Sequence, residues 1–475
     1  QQERINNFRG LDVRNDYDKY VYQSGALQQY SLTAQAGGSN YAWIATLGYD
    51  AATATLAETN DRLNLRYQLN FTPIKNLRLE LGLAYGMVNK KSGEEAYGSV
   101  LMGNYQIYPY AQMADSDGNA LPLARDYRLS YLAGLDHRFL DRKYYPLTDY
   151  SYNVTKGNTA DLNLNAAIAY QWKGLKLSLT GRYQNQPSQS QTLQQLGGYM
   201  ANNLINRFTQ LSATAASYSL PMGDIIDRQW NSFKAVDVRA QLDYKRSFGA
   251  HGFNVMAGAE RRQNEVESNT TRQYGYNSDQ LLGVAVDYVN RYPTAVTGAV
   301  ANIPEGQSDR RYLNRFVSLY GNFSYDYLQR YAFYGSVRRD ASNLFGVNVN
   351  DKWKPLWSVG VGWNVSSEAF FSHKVIDYLK LRLTYGFSGN ADPSRTAVTT
   401  ILYGGVSPFT QSAYATIDKK FNPDLKWETI RTTNLGLDFK TKGSRISGSI
   451  DYYVKDGKDL FSAYPIDYTT GVGTT

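Results

Sequence analysis

The 475-residue chain has no cysteine, so a disulfide framework and a thiolate metal site are both excluded. Histidine is almost as scarce, with His137, His251 and His373 the whole inventory. A nucleophile, histidine and carboxylate unit needs its base within hydrogen-bond reach of the nucleophile. Nothing around these three residues supplies that, so they read as incidental surface groups and no enzyme activity is expected. Long apolar runs are missing too, and the mean hydropathy is −0.49. That excludes a helical membrane protein but not a membrane β-barrel, in which half of every strand faces water or a plug.

Other signatures are lacking as well. The net charge is +8 and the isoelectric point near 9.1, yet the cations are scattered and no nucleic-acid module is present, so nucleic acid is not an expected partner. Lipopolysaccharide or an acidic ligand would suit the charge, and scattered loop charge explains it more simply. Gly360-Val361-Gly362 lies inside a strand pattern, whereas a dinucleotide loop must open a helix. Asp115-Ser116-Asp117-Gly118-Asn119 has the oxygens of a calcium loop. Asp126, however, stands where an EF-hand frame needs its bidentate glutamate, so a turn is expected there. No cofactor and no metal are expected.

What the chain has in abundance is tyrosine, 41 residues against 18 phenylalanines. An apolar ring with a polar tip suits membrane interfaces and wet aromatic surfaces. The clearest pattern lies in 311–388, where polarity flips at every residue. Val317, Leu319, Phe323 and Tyr325 alternate with Ser318, Tyr320, Asn322 and Ser324. Tyr331, Phe333 and Val337 alternate with Tyr334, Ser336 and Arg338. Trp357, Val359, Val361, Trp363 and Val365 alternate with Ser358, Gly360, Gly362 and Asn364. Leu379, Leu381, Leu383, Tyr385 and Phe387 alternate with Lys380, Arg382, Thr384, Gly386 and Ser388. A period of two means strands with one apolar and one polar face, and runs of about 9–11 residues suffice to cross a bilayer at a tilt.

The same pattern recurs in pairs, beginning at Tyr30, Tyr41, Leu63, Leu77, Leu162, Leu175, Val236, Phe253, Leu435 and Ile446, for about fourteen strands in all. Within pairs the turns are short, with 366–378 the longest exception. Between pairs the loops are long: 51–60, 89–158, 185–234, 263–310, 341–355 and 389–429. Sorting of short turns to one rim and long loops to the other is how outer-membrane barrels are built. The predicted fold is therefore all-β, a transmembrane antiparallel barrel wall over 27–475, with residues 1–26 a polar, aperiodic loop remnant on the extracellular rim. Fourteen strands could close on themselves. Both ends fall on the long-loop rim, however, so the strand near Tyr30 is expected not to pair with the one ending near Lys455, and further segments are expected at both ends.

Several stretches resemble the SusC/RagA-like branch of TonB-dependent outer-membrane transporters of Bacteroidota. They are Tyr331–Gly346 (YAFYGSVRRDASNLFG), Trp357–Trp363 (WSVGVGW), Leu379–Asn390 (LKLRLTYGFSGN), Asn422–Glu428 (NPDLKWE) and Gly448–Leu460 (GSIDYYVKDGKDL). Tyr108-Pro109-Tyr110 followed by Asp115–Leu121 (DSDGNAL) is similar to an early extracellular loop of that branch. The resemblance implies a 22-stranded barrel in the bacterial outer membrane, of which this chain would hold roughly the second to fifteenth strands. A plug and a TonB-binding segment would precede it. A SusD-like surface lipoprotein would close the mouth as a lid. The implied work is TonB-dependent uptake of oligosaccharides or peptides, and the alternative is a barrel acting as a scaffold in a larger outer-membrane assembly.

Candidate contacts follow from position. Tyr105, Tyr108, Tyr110, Tyr127 and Tyr131 crowd one long loop, and Tyr274 and Tyr276 sit in another, where aromatic faces could stack on sugars or peptide side chains. Packing of a lid or loop is the plainer role for any one of them. Ser358, Gly360, Gly362, Gly386 and Ser388 present small groups to the lumen, where a plug backbone could approach or where strands need to bend. Arg338, Arg382 and Asp340 lie on that side too, tolerable if paired or wet.

Overall fold

The computed structural model describes residues 8–343, 354–372, 374–390, 398–407, 409–420, 427–460, 462 and 469. Fourteen antiparallel strands follow one another in chain order in a single sheet. They are β1 (Ala26–Gly37), β2 (Tyr41–Thr53), β3 (Thr59–Ile74), β4 (Leu77–Lys91), β5 (Asn153–Trp172), β6 (Leu175–Gln194) and β7 (Asp224–Phe248). After them come β8 (His251–Asn277), β9 (Ser308–Tyr327), β10 (Tyr331–Ser342), β11 (Lys354–Asn364), β12 (Ile376–Asn390), β13 (Glu428–Thr441) and β14 (Ser447–Lys458). A short fifteenth strand, Leu282–Val284, joins the far end of β8. No helix among the described residues is long and apolar enough to cross a membrane.

The alternation sorts side chains by face, and the sorting is inside-out. Leu319 and Val359 are about half exposed, at 50% and 52%, whereas Ser318, Asp340 and Glu260 on the opposite face are 4%, 7% and 8% exposed. Only a wall whose convex face meets lipid has reason to expose its aliphatic rows and crowd its polar ones. Cross-strand pairing runs those rows continuously, as in Phe253↔Tyr325↔Phe333↔Val361↔Leu383↔Leu435↔Tyr452. Toward the short-turn rim the outer rows become aromatic, with Phe248 on Phe253 at 5.3 Å and Phe253 on Tyr325 at 4.8 Å between ring centroids. That is the place of an interfacial girdle.

Turn chemistry sets the short rim. β5 and β6 are joined by Lys173-Gly174, both at positive φ (46° and 88°), as a two-residue hairpin turn of the twist-matching kind requires. A β-carbon at Gly174 would lie 2.5 Å from the Lys245 carbonyl oxygen. Gly174→Ala is therefore expected to cost about 1–2 kcal/mol from the left-handed conformation alone, and more from the contact. The measurement is the urea midpoint of the refolded barrel; an unchanged midpoint would contradict this geometry.

Two expectations about boundaries need correction. Ladders run further than the alternation indicated: β7 has 25 residues and β8 has 27, against about 9–11 for a crossing. The loops at 51–60, 89–158, 185–234 and 263–310 accordingly shrink to 54–58, 92–152, 195–223 and 278–307. Beyond the lipid both faces of a strand meet water or loops, so polarity stops alternating while the hydrogen-bond ladder continues. Within the loop expected over 1–26, Asp12 caps a short helix, α1 (Val13–Asp16), through the Arg14 amide, and the chain winds on through Tyr17–Val21. Val13, Tyr17 and Val21, four apart, all face one core.

No ladder joins β1 to β14 among the described residues, as expected, and every residue of both strands is exposed.

Candidate functional site

The inner face of the wall carries a network of paired charges. Glu260 accepts from Arg239 (2.7 Å) and Arg262 (3.1 Å), and Arg262 also reaches Asp237 at 3.2 Å. Across β9 and β10, Arg338 donates to Asp340 (2.8 Å) and to the Ser318 hydroxyl (2.8 Å). The Tyr320 ring lies between the guanidiniums of Arg239 and Arg338, each 5.9 Å from its centroid, and its hydroxyl donates to Gln241 at 3.1 Å. Arg382 bridges Asp438 (2.8 Å) and Asp451 (3.3 Å). The carboxylates of Glu260 and Asp340 are buried against arginine partners, and Arg239, Arg262 and Arg338 are themselves about half exposed to water. Glu80, Arg182, Asp237, Arg239, Glu260 and Arg262 line a cavity of about 510 Å³ on this face. Such a surface holds polar or charged matter by hydrogen bonds.

The small residues on this face are explained by their neighbours. Ser358 shares a 2.6 Å hydrogen bond with Ser336. A β-carbon on Gly360 would meet the Thr384 methyl at 2.9 Å, and one on Gly386 would meet the Ser358 β-carbon at 2.5 Å. Gly362 is looser, with Lys380 at 3.2 Å. Adjacent strands already fill the space these glycines leave.

On the long-loop rim the connections fold into two apolar cores. The first gathers Val13, Tyr17, Val100, Ile107, Met113 and Tyr144. The second gathers Ile205, Phe208, Leu220, Ile225, Tyr274 and Ile303. Helix α2 (Leu129–Ala133) and helix α3 (Pro146–Tyr152) lie in the longest loop, and α4 (Tyr199–Arg207) joins the two cores. Tyr199 sits in the first core and Ala201 and Ile205 in the second.

A polar seam runs beside α4. The Asp149 carboxylate accepts from the amides of Tyr145 and Tyr199, both at 2.6 Å. The Arg125 guanidinium lies over the rings of Tyr144 (4.5 Å) and Tyr199 (5.0 Å), and the Tyr199 hydroxyl donates to Asp126. Arg142, buried, donates to Asn203 at 2.6 Å and covers Tyr127 at 4.5 Å. Burial pushes the Tyr144 and Tyr199 hydroxyls well above the usual phenol range. Between this seam and the tops of β4–β6 lies a cavity of about 530 Å³ lined by Glu94, Glu95, Arg125, Tyr144, Asp149 and Lys90, among others.

Burial also raises the Asp149 carboxyl above its ordinary value, against the two amides that favour its ionised form. A raised folded-state value means the contribution is full below the unfolded pKa and is lost as pH rises through the folded one. Hydrogen-exchange protection of the Tyr145 and Tyr199 amides should therefore fall as pH climbs from below 4 past that point. Asp149→Asn should flatten the dependence. A pH-independent wild type would contradict the assignment.

The predicted contact tyrosines separate. Tyr105 is 80% exposed at a hairpin tip. Tyr108 packs on the first core and touches Tyr110 at 5.1 Å, and Tyr110 in turn meets Phe8 at 4.9 Å. Tyr127 and Tyr131 pair at 5.6 Å. Tyr274 and Tyr276 have no surface for a ligand. Tyr274 is fully buried with its hydroxyl donating to the Pro304 carbonyl at 2.5 Å, and Tyr276 is buried under Arg228. Expected in a loop, they belong instead to the end of β8, where that strand enters the second core. Sequence reasoning missed Arg125, Asp149 and Tyr199. Gly197-Gly198 before a nine-residue helical pattern was the available signal.

Asp115 caps its own turn, accepting from the amides of Asp117 (3.0 Å) and Asn119 (2.8 Å). His137 is exposed beside Asp136 at 3.6 Å, and His251 meets the Tyr325 hydroxyl at 2.8 Å; His373 lies outside the described residues. Among the described residues no group of three or more His, Asp or Glu side chains could hold a metal.

Comparison with known proteins gives a consistent answer. Residues 191–475 match the family model described as TonB dependent receptor-like, beta-barrel. TonB-dependent receptor P3 of Formosa agariphila is 24% identical over 97% of this chain and 43% of its own length. TonB-dependent receptor SusC of Bacteroides thetaiotaomicron is 29% identical over 52% of this chain and 23% of its own length. Among solved structures, the RagAB peptide importer in its closed-closed state superposes with a TM-score of 0.73 at 18% identity, over 97% of this chain and 47% of that one. The chain spans less than half the length of each of these proteins.

Proposed function

The chain belongs to the TonB-dependent receptor-like β-barrel family of the outer membrane, and from that premise we propose that it is the barrel part of a SusC-like nutrient importer. Its work is uptake of oligosaccharides or peptides, driven through TonB, with a SusD-like surface lipoprotein as lid. Transport rather than catalysis is assigned to it. The observation that carries this reading is the pairing of a charged, hydrogen-bonding inner wall with a folded assembly on one rim only. A wall serving only as a scaffold has no need of the inner cavity beside Glu260 and Arg239. The RagAB structures are named for peptides.

The test is uptake by cells carrying the full-length gene, its deletion, or the gene in a strain lacking TonB. Fluorescent peptides and fluorescent oligosaccharides serve as separate arms. Loss of uptake of one class in both mutants is expected. Unchanged uptake of both classes would leave the scaffold reading standing. A pull-down of the tagged chain from native outer membrane should bring a lipoprotein with it; its absence would remove the lid from the proposal.

A further inference from the structure

The outer face of the wall carries a feature that neither transport nor folding uses. Above the apolar belt, on the parity that faces lipid lower down, Lys91 of β4 stands directly across from Lys156 of β5. The same register line continues through Gln191 of β6 to Arg228 of β7. Like charges directly opposite on a sheet destabilise it unless something lies between them. Among the described residues neither lysine has an ion-pair partner, and Arg228 is held by neutral groups, the Gln273 amide (2.7 Å) and the Tyr276 hydroxyl (3.1 Å). These residues line a groove of about 700 Å³ in which Asp61 is the one carboxylate. Trp230, exposed to 37%, lies in the same groove one outward row below Arg228.

Height selects the ligand. Lys91 lies four residues beyond Met87 and Lys156 four residues beyond Ala160, the nearest apolar outward positions below them. At about 3.3 Å per residue and a tilt of about 40°, the lysine row sits about 10 Å above the hydrocarbon. A phospholipid headgroup layer ends about 5–8 Å above it. What reaches the row beside a barrel is the sugar portion of a glycolipid. We propose that this groove binds the phosphorylated saccharide headgroup of outer-leaflet lipopolysaccharide. Lys91 and Lys156 share a phosphate, Arg228 takes a second anionic group, and the Trp230 face stacks on a sugar ring. The proposal rests on the outward face and the outer-membrane location, not on what the barrel transports.

The test uses the full-length protein in detergent and native mass spectrometry of bound lipid. The probes are rough-type lipopolysaccharide with a phosphorylated core, the same material dephosphorylated, and inorganic phosphate. Wild type should retain the intact lipid, and the K91Q/K156Q double variant should bind it about 20–30-fold more weakly, as two surface cations are worth. Dephosphorylated lipid should bind wild type as weakly as intact lipid binds the variant, a comparison that does not depend on the variant folding. Equal binding by wild type and variant overturns the site. Equal binding of intact and dephosphorylated lipid overturns the role of phosphate. Displacement of the lipid by millimolar inorganic phosphate overturns the lipid as ligand.

Discussion

Val361→Arg should lose most of its folded, heat-modifiable barrel in detergent, while Asn322→Arg should keep it. Val361 is 44% exposed on the aliphatic face, between Phe333 and Leu383, and lies between the Trp357 and Trp363 levels of its strand. Asn322 stands on the opposite face, across from Met256 and Ser336. An arginine at the lipid midplane costs about 2–4 kcal/mol, and one in a wet lumen costs far less. Gly360, the inward neighbour of Val361, is unsuitable as the control, because even a β-carbon there meets Thr384 at 2.9 Å. Refolding yield by heat-modifiable gel shift, with urea midpoints, decides the matter. If Asn322→Arg is lost as readily as Val361→Arg, the inside and outside of the wall have been exchanged.

That contrast depends on which parts of the fold were legible in the sequence. Where one face meets lipid and the other water, every residue must declare itself, and the strands from Arg315 to Ser388 did so. Where a strand leaves the bilayer this constraint ends. Asn264–Asn277 and Asp224–Lys234 therefore read as loop, although they pair along ladders interrupted only by an irregularity between Asp224 and Ile226. Lumenal charges were legible as a class, since Arg338, Asp340 and Arg382 fall on the polar parity of their strands. The partners of Arg382 were not, because Asp438 and Asp451 reach it from strands more than fifty residues away in sequence. Tyrosines in loops misled in a specific way. Tyr274 and Tyr105 have the same chemistry and similarly polar neighbours, yet one is core and the other a hairpin tip. Only the tertiary assembly around α4 distinguishes them.

That assembly should behave as a unit separate from the wall, and Phe208→Ala is the substitution that reveals it. Phe208 follows α4, is fully buried, and packs in the second core with Ile205, Leu220, Ile225, Tyr274 and Ile303. Removing a buried phenyl ring costs about 3–5 kcal/mol, more than a small loop core of this kind can spare. The aliphatic rows of β7 and β8 lie below the core and take their stability from lipid and from ladders on both sides. The expected result is local unfolding of 195–223 and 278–307 with the barrel intact. On intact cells, protease should cut the wild type at exposed tips such as Leu281-Leu282, 70% and 63% exposed, and spare α4. In Phe208→Ala new cuts should appear within Tyr199–Leu211, with the turn at Thr72–Asn76 still protected and heat-modifiability retained. Loss of the whole barrel would mean that loops and wall fold as one cooperative unit. An unchanged cleavage pattern would mean that the second core does not hold these loops together.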